Sequence, residues 1–151
     1  MSANAETKLR PPFAKNGSRH FLRLYNDIPK EILSTGPAQS LARAWITAWN
    51  NRDIPGLAAL YSVKCQLTSP AVVTIMNQPD GVLTGIVQHA TFWSRLFERS
   101  EIVSCELYGV FRSVESTVIH YRSCLGKTAM EFVILDSAGL IRGSVTHFDQ
   151  F

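Results

Sequence analysis

The sequence predicts an α+β fold, with helices packed on one face of a curved antiparallel sheet. Apolar residues recur at helical spacing between residues 41 and 97, and at strand spacing between 101 and 148. Helices come first and strands last, so the strands pair with their chain neighbours and the helices are left to cover a face.

Residues 1–37 show no sustained periodicity and are punctuated by Pro11, Pro12, Gly17, Pro29, Gly36 and Pro37. A flexible basic extension is expected there, followed by one domain over 38–151; only Phe21, Leu22, Leu24 and Tyr25 of the extension could dock on it. The first helix buries Leu41, Ala44, Trp45, Ala48 and Trp49 and leaves Ser40, Arg43, Thr47 and Asn50 outside the stripe. Asp53 suits the N-cap of a short second helix that buries Leu57, Leu60 and Tyr61. Residues 63–69 read as a strand stopped by Pro70, and 71–85 as a loop with a short strand over 72–76. A third helix over 86–99 turns Ile86, His89, Ala90, Trp93, Leu96 and Phe97 inward. Residues 101–112 read as a long strand with Val103, Cys105, Leu107 and Phe111 on one face.

Three further strands follow, over 114–125, 128–135 and 140–148. Gly126-Lys127 suits a two-residue type II′ hairpin, and Asp136-Ser137-Ala138-Gly139 a four-residue turn. The first loop sets Arg122 opposite Glu131, His120 opposite Val133 and Val118 opposite Leu135. The second sets Val133 opposite Arg142, Glu131 opposite Ser144 and Ala129 opposite Thr146. Arg122, His120 and Glu131 then converge on a mixed polar face that runs on to Phe148. The other face, with Ile119, Tyr121, Met130, Phe132, Ile134, Val145 and His147, is mostly apolar. Neither is the polar face of a sheet turned to solvent, so helices are expected on one and a partner subunit on the other.

At 151 residues and 46% hydrophobic content the chain can bury one sizeable core. No apolar run approaches the roughly 20 residues of a membrane span. Cys65, Cys105 and Cys124 are odd in number and lack metal-ligand spacing, which suits reduced core thiols in a cytoplasmic protein. The formal charge of +3 is uneven. Residues 1–30 carry a net +4 and the remainder −1, so the folded part lacks the basic face that nucleic acid requires. An organelle-targeting peptide is the other reading of the basic segment, but Pro11-Pro12 interrupts any amphipathic helix there.

Glu131 is the first candidate for chemistry. A carboxyl on a walled face can serve as general acid or base, whereas an ion pair with Arg122 would make it structural. His120, two residues from Arg122, could form a proton-transfer pair with Glu131 or be a satisfied core histidine. His147 falls on the convex face and His89 on the third helix. No spacing supports a metal site, and no elbow motif supports a nucleophilic serine. Trp45, Trp49, Tyr61, Trp93, Phe97 and Phe148 come from different elements but aim at one interior, either as plain core or as the lining of a pocket for a small hydrophobic ligand.

Several stretches resemble the nuclear transport factor 2-like, or SnoaL-like, superfamily. They are Leu41-Ala42-Arg43-Ala44-Trp45, Ala48-Trp49-Asn50-Asn51-Arg52-Asp53, Leu57 through Leu60-Tyr61, Thr68-Ser69-Pro70, Gly81-Val82-Leu83-Thr84-Gly85, Phe92-Trp93, Tyr121-Arg122 and Asp136-Ser137-Ala138-Gly139-Leu140-Ile141. The resemblance spans residues 38 to 149 and implies a cone: helices lean on the concave face of the sheet and enclose a pocket, and the convex face often forms a homodimer. The superfamily includes ketosteroid isomerases, polyketide cyclases, scytalone dehydratases, limonene epoxide hydrolases and non-enzymes, so fold alone does not choose among them. Carried over residue by residue, the isomerase base falls on Ser69, its oxyanion-hole tyrosine on Trp45 and its second oxyanion acid on Glu131. An unassisted serine cannot take a proton next to a carbonyl, which argues against steroid isomerisation by that mechanism.

Two functions are expected from these residues. One is a cofactor-independent lyase, isomerase or cyclase acting on a small hydrophobic carbonyl or polyketide-like compound, with Glu131, His120 and Arg122 as catalytic groups and Trp45, Trp49, Tyr61, Ser69, Trp93, Phe97 and Phe148 around the ligand. The other is a non-catalytic module of the same fold that binds a hydrophobic ligand or dimerises.

Overall fold

The computed structural model describes residues 36–99 and 101–150. The expected extension over 1–37, with Phe21, Leu22, Leu24 and Tyr25, lies outside the described residues except for Gly36 and Pro37.

Helix α1, Gly36–Asn50, buries Ala38, Ala42, Trp45, Ile46 and Ala48; Ala44, expected on the buried stripe, faces solvent. Asp53 caps α2, Ile54–Ala58, by accepting the Gly56 N–H at 2.9 Å. Strand β1, Tyr61–Thr68, turns Tyr61, Cys65 and Leu67 inward. The segment after it corrects the expected loop and short strand over 72–76. Pro70–Met76 is helix α3, with Pro at its first position and Ser69 as N-cap, the Ser69 Oγ accepting the Ala71 N–H at 3.3 Å. Asn77 ends it in a left-handed conformation. A short strand β2, Val82–Thr84, follows, and then α4, Ile86–Phe97, which buries Phe92 as well as His89, Trp93, Leu96 and Phe97.

The last strands are β3, Glu106–Arg112; β4, Ser116–Arg122; β5, Thr128–Leu135; and β6, Ile141–Phe148. They form one curved sheet in the order β2-β1-β6-β5-β4-β3. The pairs are antiparallel except that β1 runs parallel to β6. A register shift between Leu107 and Gly109 flips the end of β3, so Leu107 and Val110 face the core while Phe111, expected beside Leu107, is exposed.

The β4–β5 register differs from the expected one, and the loop explains why. Ser123 N–H bonds to Lys127 O and Gly126 N–H to Ser123 O, which makes a three-residue loop of Cys124, Leu125 and Gly126. Gly126 occupies the left-handed position at φ 76°, the glycine bulge that closes such loops. Arg122 consequently pairs with Thr128, His120 with Met130, Val118 with Phe132 and Ile119 with Glu131. The slip is an odd number of residues, so every side chain of β4 changes face relative to β5. The β5–β6 loop is built the same way, with Gly139 at φ 79° and Asp136 Oδ1 accepting the Ala138 and Leu140 N–H groups at 2.9 Å. There the slip is even. Glu131 faces Thr146 rather than Ser144, and Val133 faces Ser144, but both stay on the concave face.

Candidate functional site

The concave floor of β1, β4, β5 and β6 and the inner faces of α1 and α4 enclose a cavity with a free volume of about 40 Å³. That is room for a few water molecules. Aromatic rings from several elements share its wall. Trp45 meets Tyr121 edge-on at 5.0 Å between ring centres and Trp49 at 5.8 Å, and Trp93 packs against Tyr61 at 5.3 Å.

Glu131 projects into this apolar space from the middle of β5, and is 2% exposed. Burial pushes its carboxyl up from the ordinary 4.5 to about 7, while the hydroxyls of Thr146, Ser144 and Tyr121 pull it partway back. Tyr121 donates to Oε2 at 3.4 Å; Ser144 Oγ is close by but completes no hydrogen bond. The phenols of Tyr121 and Tyr61 are held protonated, first by burial and then by the charge of Glu131. Trp45 Nε1–H donates to Tyr61 Oη at 2.9 Å, and Tyr61 keeps its own O–H as a donor. A carboxyl poised near neutrality thus stands among phenols that remain donors at physiological pH.

Of the expected site residues, Trp45, Trp49, Tyr61, Ser69, Trp93, Phe148 and Glu131 line the cavity. Phe97 stands behind Trp49, 5.4 Å away between ring centres. His120 and Arg122 correct the expectation. The odd slip of the β4–β5 register carries both to the convex face, where the His120 ring stacks edge-on with Tyr108 at 5.2 Å. Arg122 pairs with Glu106 at 3.5 Å on the neighbouring strand, not with Glu131. The same slip brings in Tyr121, which the expected register placed outside. Had Gly126 been read as the last residue of a three-residue loop, Tyr121 would have followed from the sequence.

His89 is fully buried beside the cavity rather than in its wall. Its Nδ1 lies 2.8 Å from Gly85 O and 3.5 Å from Cys65 Sγ, and burial lowers its pKa, so the ring is neutral and donates from Nδ1. Among the described residues no group of His, Cys, Asp and Glu side chains could hold a metal ion, and no helix is long and apolar enough to cross a membrane.

No family model and no curated protein matches the sequence. Solved structures do match. A SnoaL-like protein of unknown function from Burkholderia thailandensis is 27% identical with a TM-score of 0.72, over 76% of this chain and 96% of its own. A candidate ketosteroid isomerase from Kribbella flavida is 18% identical with a TM-score of 0.58, over 77% and 80%. A candidate polyketide cyclase from Sinorhizobium meliloti is 10% identical with a TM-score of 0.58, over 72% and 94%. The last two share the fold; the first adds sequence likeness along nearly its full length. With helices on the concave face of a curved six-stranded sheet and a buried carboxyl in the enclosed space, this chain belongs to the nuclear transport factor 2-like, or SnoaL-like, superfamily.

Proposed function

We propose that the protein is a cofactor-independent enzyme of the isomerase, lyase or cyclase type that moves a proton next to the carbonyl of a small hydrophobic compound. The observation that supports this most is Glu131: a carboxyl with a pKa near 7, buried in an aromatic cavity beside a loosely bonded phenol. As carboxylate it takes the proton from carbon, and as acid it returns it; a group titrating near neutrality suits both steps. Tyr121, kept protonated, donates to the carbonyl oxygen as negative charge builds there. His120 and Arg122 have no part in this chemistry. The cavity favours a small substrate, because a polyketide-sized compound would need a site of a few hundred Å³. A cytoplasmic setting, with its thiols reduced, belongs to the same proposal.

A specific observation favours the second reading, a non-catalytic ligand-binding module. By the resemblance, the position of the isomerase base falls on Ser69, whose hydroxyl is occupied as the cap of α3. The test is a screen of small carbonyl compounds by thermal shift, followed by turnover assays on wild type and Glu131→Gln. Loss of turnover by at least a hundredfold with binding retained supports the enzyme, and kcat/KM should rise with pH through about 7. Binding without turnover in either protein would leave the module.

A further inference from the structure

The cavity carries polar atoms without partners at its end next to the β4–β5 loop. Ser123 stands two residues beyond Tyr121 on the same face, about 7 Å further along the strand direction, and its N–H, donating to Lys127 O at 2.8 Å, carries the β4–β5 ladder that far. It is 4% exposed, and its Oγ makes no hydrogen bond. Trp49 reaches the same cavity from the last turn of α1, and its Nε1–H is buried and equally unbonded. Five buried side-chain polar atoms are left in this way among the described residues, and these are the two whose residues line the cavity. A buried donor without an acceptor is costly, so the pair marks a place that a ligand completes. Trp49 and Cys124 also line a second hollow of about 90 Å³, in which Arg52 is the charged lining residue. Asn50, beside it, is committed to the backbone of Cys105 by two hydrogen bonds. The turn after α1, where Arg52 N–H donates to Trp49 O at 3.1 Å, sends the guanidinium across to the end of α4, and there Nη1 donates to Phe97 O at 3.0 Å. The guanidinium fork has further N–H groups to offer.

We propose that the compound bound in the cavity is a short keto acid, and that Trp49, Ser123 and Arg52 hold its carboxylate while its carbonyl lies at Tyr121 and Glu131. This rests on the small-carbonyl reading above, and holds whether or not the carbonyl is turned over. An indole N–H only donates and a serine hydroxyl can donate, so the group that satisfies both is an acceptor. Arg52 in the adjoining hollow favours an anionic acceptor over a neutral one, because a charge-assisted hydrogen bond is stronger and the positive charge offsets part of the cost of taking a carboxylate out of water. The spacing from Tyr121 to Ser123 leaves room for a chain of a few carbons between the two groups of the ligand. Glu131 pairs with Ile119, four residues before Ser123 on β4, so the ligand carboxylate and the Glu131 carboxyl are kept apart.

The experiment titrates the full chain with levulinate, its methyl ester and methyl propyl ketone by calorimetry at neutral pH, in low salt and again with added sodium chloride. Levulinate should bind at least about tenfold more tightly than the ester or the ketone, and salt should shrink that advantage. Arg52→Gln, at an exposed position, should cut the preference for levulinate over its ester by about tenfold, and Ser123→Ala and Trp49→Phe, which keeps the ring and removes the N–H, should each cut it in the same sense. The wild-type comparison needs no variant to fold, so it decides by itself. An ester or ketone that binds as tightly as levulinate would overturn this inference and leave the small-carbonyl reading standing. A preference that survives all three substitutions would place the carboxylate elsewhere and overturn it as well. Binding by none of the three compounds would overturn both.

Discussion

At the scale of single residues, Glu131 was legible because an acid in a strand otherwise built for a core has to be explained by a partner or by chemistry. Its true neighbours were not legible, since they depend on whether a loop has two residues or three. Its environment makes a definite statement about stability. The folded-state pKa, about 7, lies above the ordinary 4.5, so the folded protein holds a proton that the unfolded chain has already lost. Stability from this group is full below pH 4.5 and is lost as pH rises to about 7. His89 acts in the opposite sense: burial lowers its pKa, so its contribution is present above about 6.5 and lost as pH falls. Comparing wild type with Glu131→Gln isolates the carboxyl, because His89 is common to both. Urea unfolding at pH 5 and pH 8 should show the stability difference moving by about 2 to 3 kcal/mol in favour of the variant at the higher pH. A difference that does not change with pH would mean the carboxyl is ionised at little cost and has no poised proton to give.

At the scale of elements, Ser69-Pro70 carried the signature of a helix start, a capping serine before a proline at the first position, yet Pro70 also ends the preceding strand. The strand-ending role dominates in a seven-residue helix too short to show its own periodicity. Ser69→Ala should cost about 1 kcal/mol through loss of the cap and, on the proposed mechanism, leave turnover within a few-fold of wild type. A larger loss of activity would give its hydroxyl a role in the reaction. Gly126 decides the face of β4. A Cβ there would meet Val103 only at an ordinary 3.8 Å, so the cost of replacing it lies in its φ of 76° and not in crowding. Gly126→Val should therefore destabilise by about 1 to 2 kcal/mol, and Gly126→Asn by clearly less, as measured by thermal or urea unfolding. Equal effects of the two would mean that the loop relaxes to another turn, and with it the register that puts Tyr121 beside Glu131.

At the scale of the whole molecule, the order of helices and strands gave away the architecture, but the parallel pairing of β1 with β6 had no local signal because no turn joins them. The convex face was legible in character though not in membership. Its centre is apolar: Phe111 is 60% exposed, Tyr108 48% and Met130 45%, with Val118, Phe132, Ile134 and Val145 between them half-buried. A contiguous patch of this kind on a monomer marks an interaction surface, and a convex sheet face can supply the roughly 800 Å² per partner that a stable pair needs. We propose that a second copy of the chain covers it, sheet against sheet, with the helices and cavities facing away from each other. Light scattering at micromolar concentration should then give about twice the 16.8 kDa of one chain. Phe111→Glu combined with Met130→Glu should halve that mass while the fold, read by circular dichroism, persists, since neither side chain belongs to the core. A wild-type monomer would reject the pairing, and a dimer that survives both charges would place the contact on another surface.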